Sequence, residues 1–345
     1  MIEHVLDLGN QLQKELETST DFVIDSYNDL LIVGMGGSGV AGDVLKLVLN
    51  ENTQINVEVR KAYGIPEVVA DRKPKCLFIS YSGNTEETVE AVNDAIKYKL
   101  DWSVISSGGQ LLDLATEHKR PFVKVPSGLQ PRAAFGLMTK AVMHYVSSDI
   151  NGKYLEMCNE AGDYLNHVLE PPPPVEINDS DCSVGDDDKE LIDEAIHISK
   201  KISNKTSIIY GGTPLTYLVA QRWKTQINEN AKSKAFVGYM PEVHHNEILS
   251  WEANKKDSKK NYQLLFLRSS EENSQISKRF ELTKEIIGDK VDISEIVNIS
   301  SKNIISNLFH LTLVGDLVSV YIADNLNIDP YDITSIEKLK KLLKE

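Results

Sequence analysis

Residues 30–43 read LLIVGMGGSGVAGD, and this stretch limits what the rest of the chain can fold into. A run of apolar residues ends in a cluster of glycines and passes directly into a helix-forming segment, 40–49. A strand that ends in glycines and turns into a helix presents unpaired N–H groups at a positive helix end, which is an anion site by geometry. Gly34-Met35-Gly36-Gly37-Ser38-Gly39 also fits the spacing G-x-G-x-x-G. That pattern alone does not say whether the anion is a dinucleotide or some other phosphate.

The surrounding grammar is that of an α/β fold. After an amphipathic opening helix reaching about residue 17, strands are predicted at 30–33, 55–59, 76–80, 102–105 and 122–125. Helices are predicted at 86–97 and 133–146. Short apolar strands separated by amphipathic helices imply a parallel sheet covered on both faces. The plan breaks at 170–190, EPPPPVEINDSDCSVGDDDKE, an exposed acidic and proline-rich connector. It then restarts, with a strand at 207–210 leading into GGTP and a helix from 215. A strand at 262–267 leads into RSSEEN and a helix at 274–287. The long apolar helix 304–326 parallels 133–146, and a last helix, 333–344, closes the chain. The two halves read as copies of one plan, giving domains 1–169 and 191–345 joined by 170–190.

Charge narrows the function. A formal net charge of −14 argues against a nucleic-acid binder, because phosphate backbones need a basic face. Cys76, Cys158 and Cys182 are scattered and contain no C-x-x-C pair, which disfavours a disulfide scaffold or a cysteine metal cage and points to a reducing cytosol. The N-terminus carries acidic residues from position 3 and does not read as a signal peptide. No apolar run is expected to span a membrane.

Two strand ends bear on which phosphate is held, although the first only weakens the dinucleotide reading. A dinucleotide enzyme needs an acidic residue at the tip of the second strand to hold a ribose. Here Glu58 falls inside the strand and the tip is Arg60-Lys61. The third strand ends in FISYSGNTEETVEA, delivering Ser80, Ser82 and Thr85 within six residues, with Gly83 allowing a tight turn. Asn84 and Glu87 have capping-box spacing, so the helix is expected to start there. Three hydroxyls at a helix start make a second anion cradle, and two adjacent cradles suit one phosphomonoester.

The segment SYSGNTEET is similar to the phosphosugar-binding loop of the SIS (sugar isomerase) superfamily. With GMGGSGVAGD, PRAAFGLM, RWKTQINENAK and PEVHHNEILSW, the chain resembles the bifunctional phosphoglucose/phosphomannose isomerase family. The resemblance implies two tandem SIS-type subdomains, each a parallel sheet flanked by helices, plus a C-terminal helix. It implies a cytoplasmic homodimer that interconverts glucose 6-phosphate, and mannose 6-phosphate, with fructose 6-phosphate through an enediolate. No metal or redox cofactor is required by that chemistry. A non-catalytic SIS sugar-phosphate sensor and an NADP-linked dehydrogenase are the alternatives.

Residue by residue, the resemblance nominates Gly36, Gly37, Ser38, Ser80, Ser82 and Thr85 to hold the phosphate. Glu229 in INENAK becomes the base; by spacing alone it is a glutamate following a helix, with the amides of Asn228 and Asn230 available to hold it. His245 becomes the ring-opening residue, contributed across the dimer interface, with His244 its rival where the family usually has asparagine. Arg132 would stabilise the enediolate, the competing reading being a surface salt bridge. The family commonly has proline where this chain has Gly136. From the C-terminal helix the family uses a lysine. Lys340 is chosen over Lys338 because it borders the stripe of Ile333, Ile336, Leu339 and Leu343, which is expected to be buried.

Overall fold

Continuous burial on both faces marks the central strands. In the computed structural model, which describes residues 1–19, 28–147, 152–170, 187–299 and 301–343, every residue of Lys75–Ile79 and Trp102–Ser106 is buried, as parallel strands sandwiched between helices must be. The chain divides into two compact units. One comprises Asp7–Asn166 with Asn303–Ser306; the other comprises Met1–Leu6, His167–Lys302 and Asn307–Glu345. They are called here the N-terminal and C-terminal units. Most of the expected connector, including Cys182, lies outside the described residues.

The chain opens with α1 (Ile2–Leu6) and α2 (Leu8–Gln13), two short helices where one continuous helix was expected. The N-terminal unit continues through β1 (Glu17–Thr18), β2 (Asp29–Gly34), α3 (Gly36–Asn52), β3 (Asn56–Arg60), α4 (Glu67–Ala70) and β4 (Lys75–Ile79). There follow α5 (Glu86–Lys97), β5 (Trp102–Ser106), α6 (Gly109–Glu117), β6 (Phe122–Lys124), α7 (Phe135–Ser147) and α8 (Lys153–Leu169). Its sheet runs β1-β6-β5-β4-β2-β3, parallel except for β1, an antiparallel edge strand that periodicity did not reveal. Leu31, Val33, Phe78 and Val104 pack from the sheet onto Ala91, Val92 and Ala95 of α5 and Leu111 and Ala115 of α6. On the other side, α2 lies against α7 and α8 through glycines. A Cβ at Gly136 would stand 2.6 Å from the Cβ of Gln11, and one at Gly162 2.7 Å from the Gly9 carbonyl oxygen. Gly136 is thus a point at which α2 and α7 touch.

The C-terminal unit contains α9 (Asp187–Ile202), β7 (Thr206–Gly211), α10 (Pro214–Ala231), β8 (Ala235–Tyr239), α11 (Lys255–Asn261), β9 (Tyr262–Arg268), α12 (Ser274–Ile287) and β10 (Asp292–Val297). The long α13 (Ile304–Asn325) and α14 (Thr334–Leu342) complete it. Its parallel sheet is ordered β10-β9-β7-β8, the same sequence of crossovers as β5-β4-β2-β3. By length and composition α13 could cross a membrane, contrary to expectation, yet 78% of its apolar window is buried inside the protein. It is tied to α10 by a buried Arg222–Asp316 ion pair and by the Trp223 indole N–H, which donates to the Leu311 carbonyl at 2.8 Å. Gly315 makes room for that indole, since a Cβ there would sit 2.1 Å from Trp223 Nε1.

Candidate active site

The glycine cluster and the serine loop lie side by side because their strands do. In the β2–β4 register, Gly34 faces Ile79, so both chains leave the sheet at one level. A Cβ at Gly34 would meet the Ile79 carbonyl at 2.9 Å and one at Gly39 would meet the Gly34 carbonyl at 2.7 Å. Only glycine lets the turn fold that tightly over the strand ends. Ser38, 5% exposed, accepts a hydrogen bond on Oγ from the Tyr81 N–H at 3.0 Å, which joins the two turns directly.

The second turn is built from within. Ser80 is buried, accepts the Gly83 N–H on Oγ at 3.1 Å, and shares a 2.8 Å hydrogen bond with the Thr85 hydroxyl. Ser80 therefore stands behind Thr85, which is half-buried, while Ser82 is exposed and accepts the Asn84 N–H at 3.3 Å. A hydroxyl that accepts within the turn keeps its proton to donate outward. Asn84 does not form the expected capping box with Glu87. Its amide N–H donates to the Ser82 carbonyl and its oxygen accepts the Gln110 N–H. The helix N-cap is Thr85, with no side-chain cap, and the N-cap of α3, Met35, has none either.

The C-terminal copy differs at both equivalent turns. Thr213 and Thr216 form a capping box at α10, and the Asn273 side chain accepts the Gln275 and Ile276 N–H groups at α12. Arg268 at the end of β9 is held by Glu272, Glu281 and Glu295. Side chains of the protein seal those helix starts and fill that strand end with acid. The adjoining pair of helix starts without side-chain caps belongs to the N-terminal unit.

Arg132 lies beside the glycine loop. It lies in the 3₁₀ turn Pro131–Ala133, is 6% exposed, and its backbone passes the glycine loop so closely that a Cβ on Gly37 would be 3.2 Å from the Pro131 carbonyl and 3.7 Å from the Arg132 Cα. The surface salt-bridge reading does not fit a guanidinium this buried, which has to be met by other polar groups. Two features around these turns were not read from the sequence. The turn Ser106–Gly109 braces the serine loop: the Ser107 N–H and hydroxyl both donate to the Tyr81 carbonyl. The Tyr81 hydroxyl in turn donates to the Pro126 carbonyl and accepts the Leu129 N–H. The repeated glycines of SSGGQ were the available hint.

The remaining nominated residues sit on separate elements of the C-terminal unit. Glu229 is half-buried in the last turn of α10, inside the helix and not after it. The helix stops only at Lys232, which adopts the left-handed conformation (φ 51°) without glycine and caps with its amine, donating to the carbonyls of Glu229 and Asp329. Of the flanking amides, Asn228 donates to the Ser233 carbonyl and Asn230 to the Ser319 hydroxyl. His245 is exposed at the end of the 3₁₀ turn Glu242–His245, while His244 is hydrogen-bonded into α12. Lys340 is on α14, which has no buried residue. The expected stripe is open, with Leu339 57% and Leu343 63% exposed. Lys338 and Lys340 are both exposed, so burial does not choose between them.

Among the described residues, no group of three or more His, Cys, Asp or Glu side chains is arranged to hold a metal ion. Cys76 and Cys158 are free and buried, and burial pushes both thiols up to about 12. The basic tip of β3 is occupied internally: Arg60 donates to the carbonyls of Tyr63 and Gly64, and Lys61 pairs with Asp43. A nucleotide 2′-phosphate would have to displace these contacts.

Two sheets of one topology, with an uncapped double turn in the first, define a SIS-domain protein. Residues 24–101 match the SIS domain family, and residues 192–343 match the bacterial phospho-glucose isomerase C-terminal SIS domain. A hypothetical protein from Thermus thermophilus shares the fold, with a TM-score of 0.70 at 12% identity, covering 99% of this chain and 87% of its own. Over its whole length the chain is 31% identical to a bifunctional phosphoglucose/phosphomannose isomerase of Caldicellulosiruptor bescii, covering 99% of that protein. It is 32% identical to one of Thermoplasma acidophilum over 96% of the chain and 97% of the relative. The chain belongs to the bifunctional phosphoglucose/phosphomannose isomerase family. A D-glucosamine-6-phosphate 4-epimerase of Sulfolobus acidocaldarius is also similar, at 27% identity over 89% of this chain and 87% of its own.

Proposed function

We propose that the protein interconverts glucose 6-phosphate and mannose 6-phosphate with fructose 6-phosphate through an enediolate. One observation carries the reading: two adjoining helix starts left uncapped, on a chain aligned end to end with isomerases of that name. In this scheme the first turn of α3 (Gly36, Gly37, Ser38) and the hydroxyls of Ser82 and Thr85 hold the phosphoryl group, with Ser80 supporting Thr85. His245 moves a proton between the C1 hydroxyl and the ring oxygen to open the sugar. Glu229 removes a proton from C2 of the aldose and returns it to C1. Arg132 balances the charge that develops on the enediolate oxygens, and Lys340 is the C-terminal site lysine.

The same reading includes a cytoplasmic homodimer, with His245 supplied across its interface, and domains 1–169 and 191–345 joined by 170–190. Support for the dimer comes from α14, whose apolar stripe the single chain leaves open. The test is a coupled assay with each aldose 6-phosphate in the presence of EDTA. Turnover of both sugars that survives the chelator supports the assignment. Turnover of neither, with glucosamine 6-phosphate consumed instead, would favour the 4-epimerase reading that the Sulfolobus relative raises.

A further inference from the structure

His244 is engaged on both ring nitrogens, and its partners fix its chemical form. Arg279 Nη1 lies 2.9 Å from Nδ1, and the Thr283 hydroxyl lies 2.8 Å from Nε2. A guanidinium can only donate, so Nδ1 must be the bare, accepting nitrogen. The ring is then neutral with its proton on Nε2, which donates to Thr283 Oγ1. Thr283, 1% exposed, passes its own proton to the Arg279 carbonyl at 2.6 Å. The result is a closed chain of donors running from α12 through the imidazole and back to α12.

The next residue, His245, is exposed, and among the described residues its side chain makes no hydrogen bond or ion pair. The two histidines thus share one short 3₁₀ turn, one turned into the protein and one turned out. We infer that His244 is a positioning residue, a neutral peg that locks the turn to α12 and so fixes the direction in which His245 is presented. This rests on the reading of His245 as the ring-opening residue and extends it to a second histidine.

The groups that bear charge on the peg are Arg279 from α12 and His245 from its own turn; both act with burial to hold the imidazole below its usual range. Protonating Nδ1 would remove the acceptor and set two cations against each other.

The test has two arms. Nitrogen-15 NMR of the whole protein near pH 7 should show one His244 nitrogen bare and Nε2 protonated; a proton on Nδ1 overturns the peg. In steady-state assays with fructose 6-phosphate, His244→Ala should lower kcat by about 10- to 100-fold while KM stays near wild type. His244→Asn, whose carbonyl oxygen can still accept from Arg279, should recover much of that loss. Should His244→Ala not fold, Thr283→Val removes the second contact and should lower kcat in the same sense. Wild-type kcat in the folded variants overturns the positioning role. His245→Ala separates the two ideas. If it is slow while His244→Ala is normal, only the positioning role falls. If His245→Ala is itself normal, the ring-opening reading falls and takes this inference with it.

Discussion

A methyl group on Gly83 would come within 1.7 Å of the Gly108 carbonyl oxygen, and the residue sits at φ +69°. Single atoms decide the site at this scale. Gly83→Ala should cost roughly 2–4 kcal/mol, combining strain with overpacking, and should weaken phosphate binding, because the serine loop must lift off its brace. A urea titration beside an inorganic-phosphate titration reads both effects. The polar residues should divide by what they touch. Ser82→Ala should chiefly raise KM, since the phosphoryl group is unchanged by the reaction. Glu229→Gln should lower kcat about 10²- to 10⁴-fold with fructose 6-phosphate binding largely kept. A kcat defect alone in the first variant, or near-normal turnover in the second, would reassign the residue. Sequence reading anticipated the tight turn at Gly83, where a positive φ calls for glycine. It failed where one side chain could serve two turns, and Asn84, taken for a cap, braces Gln110.

Among elements, the central strands and the helices α12 and α13 were legible almost residue for residue, because buried parallel strands and long apolar helices leave unbroken patterns. Short or edge elements were not. β1 is two residues long, and β10 is only partly buried. The end of α10 was read too early because its stop is a left-handed lysine and not a glycine. Within α13, His310 gives the element a pH signature. Burial draws its imidazole down to about 4 from 6.5, so between those values the unfolded chain binds the extra proton. Stability is therefore full above about pH 6.5 and falls as the pH drops toward 4, by up to about 3 kcal/mol. Urea midpoints measured across that window should fall accordingly, and His310→Asn should flatten the slope. A midpoint in the native protein that does not change with pH would remove His310 from the account.

For the whole molecule, the open face of α14 is the feature a single sequence misjudges most easily. Its helical periodicity was plain, but the pattern does not say which chain covers it. If a second copy covers Leu339, as the proposed homodimer requires, the native chain should run as a dimer in light scattering after size exclusion, and Leu339→Glu should run as a monomer and lose turnover while leaving the circular dichroism unchanged. A variant still dimeric would place the interface elsewhere.

The two copies of the fold also part company in how they finish their helices. One leaves its starts bare, whereas the other closes them with Thr213, Thr216 and Asn273. Where side chains of the chain itself take up the first amides of a helix, those amides are no longer open to an outside anion. On the proposed scheme, substitutions at the bare starts, Ser82 and Thr85, should mainly alter affinity, whereas those at Arg132, Glu229 and His245 should mainly alter speed.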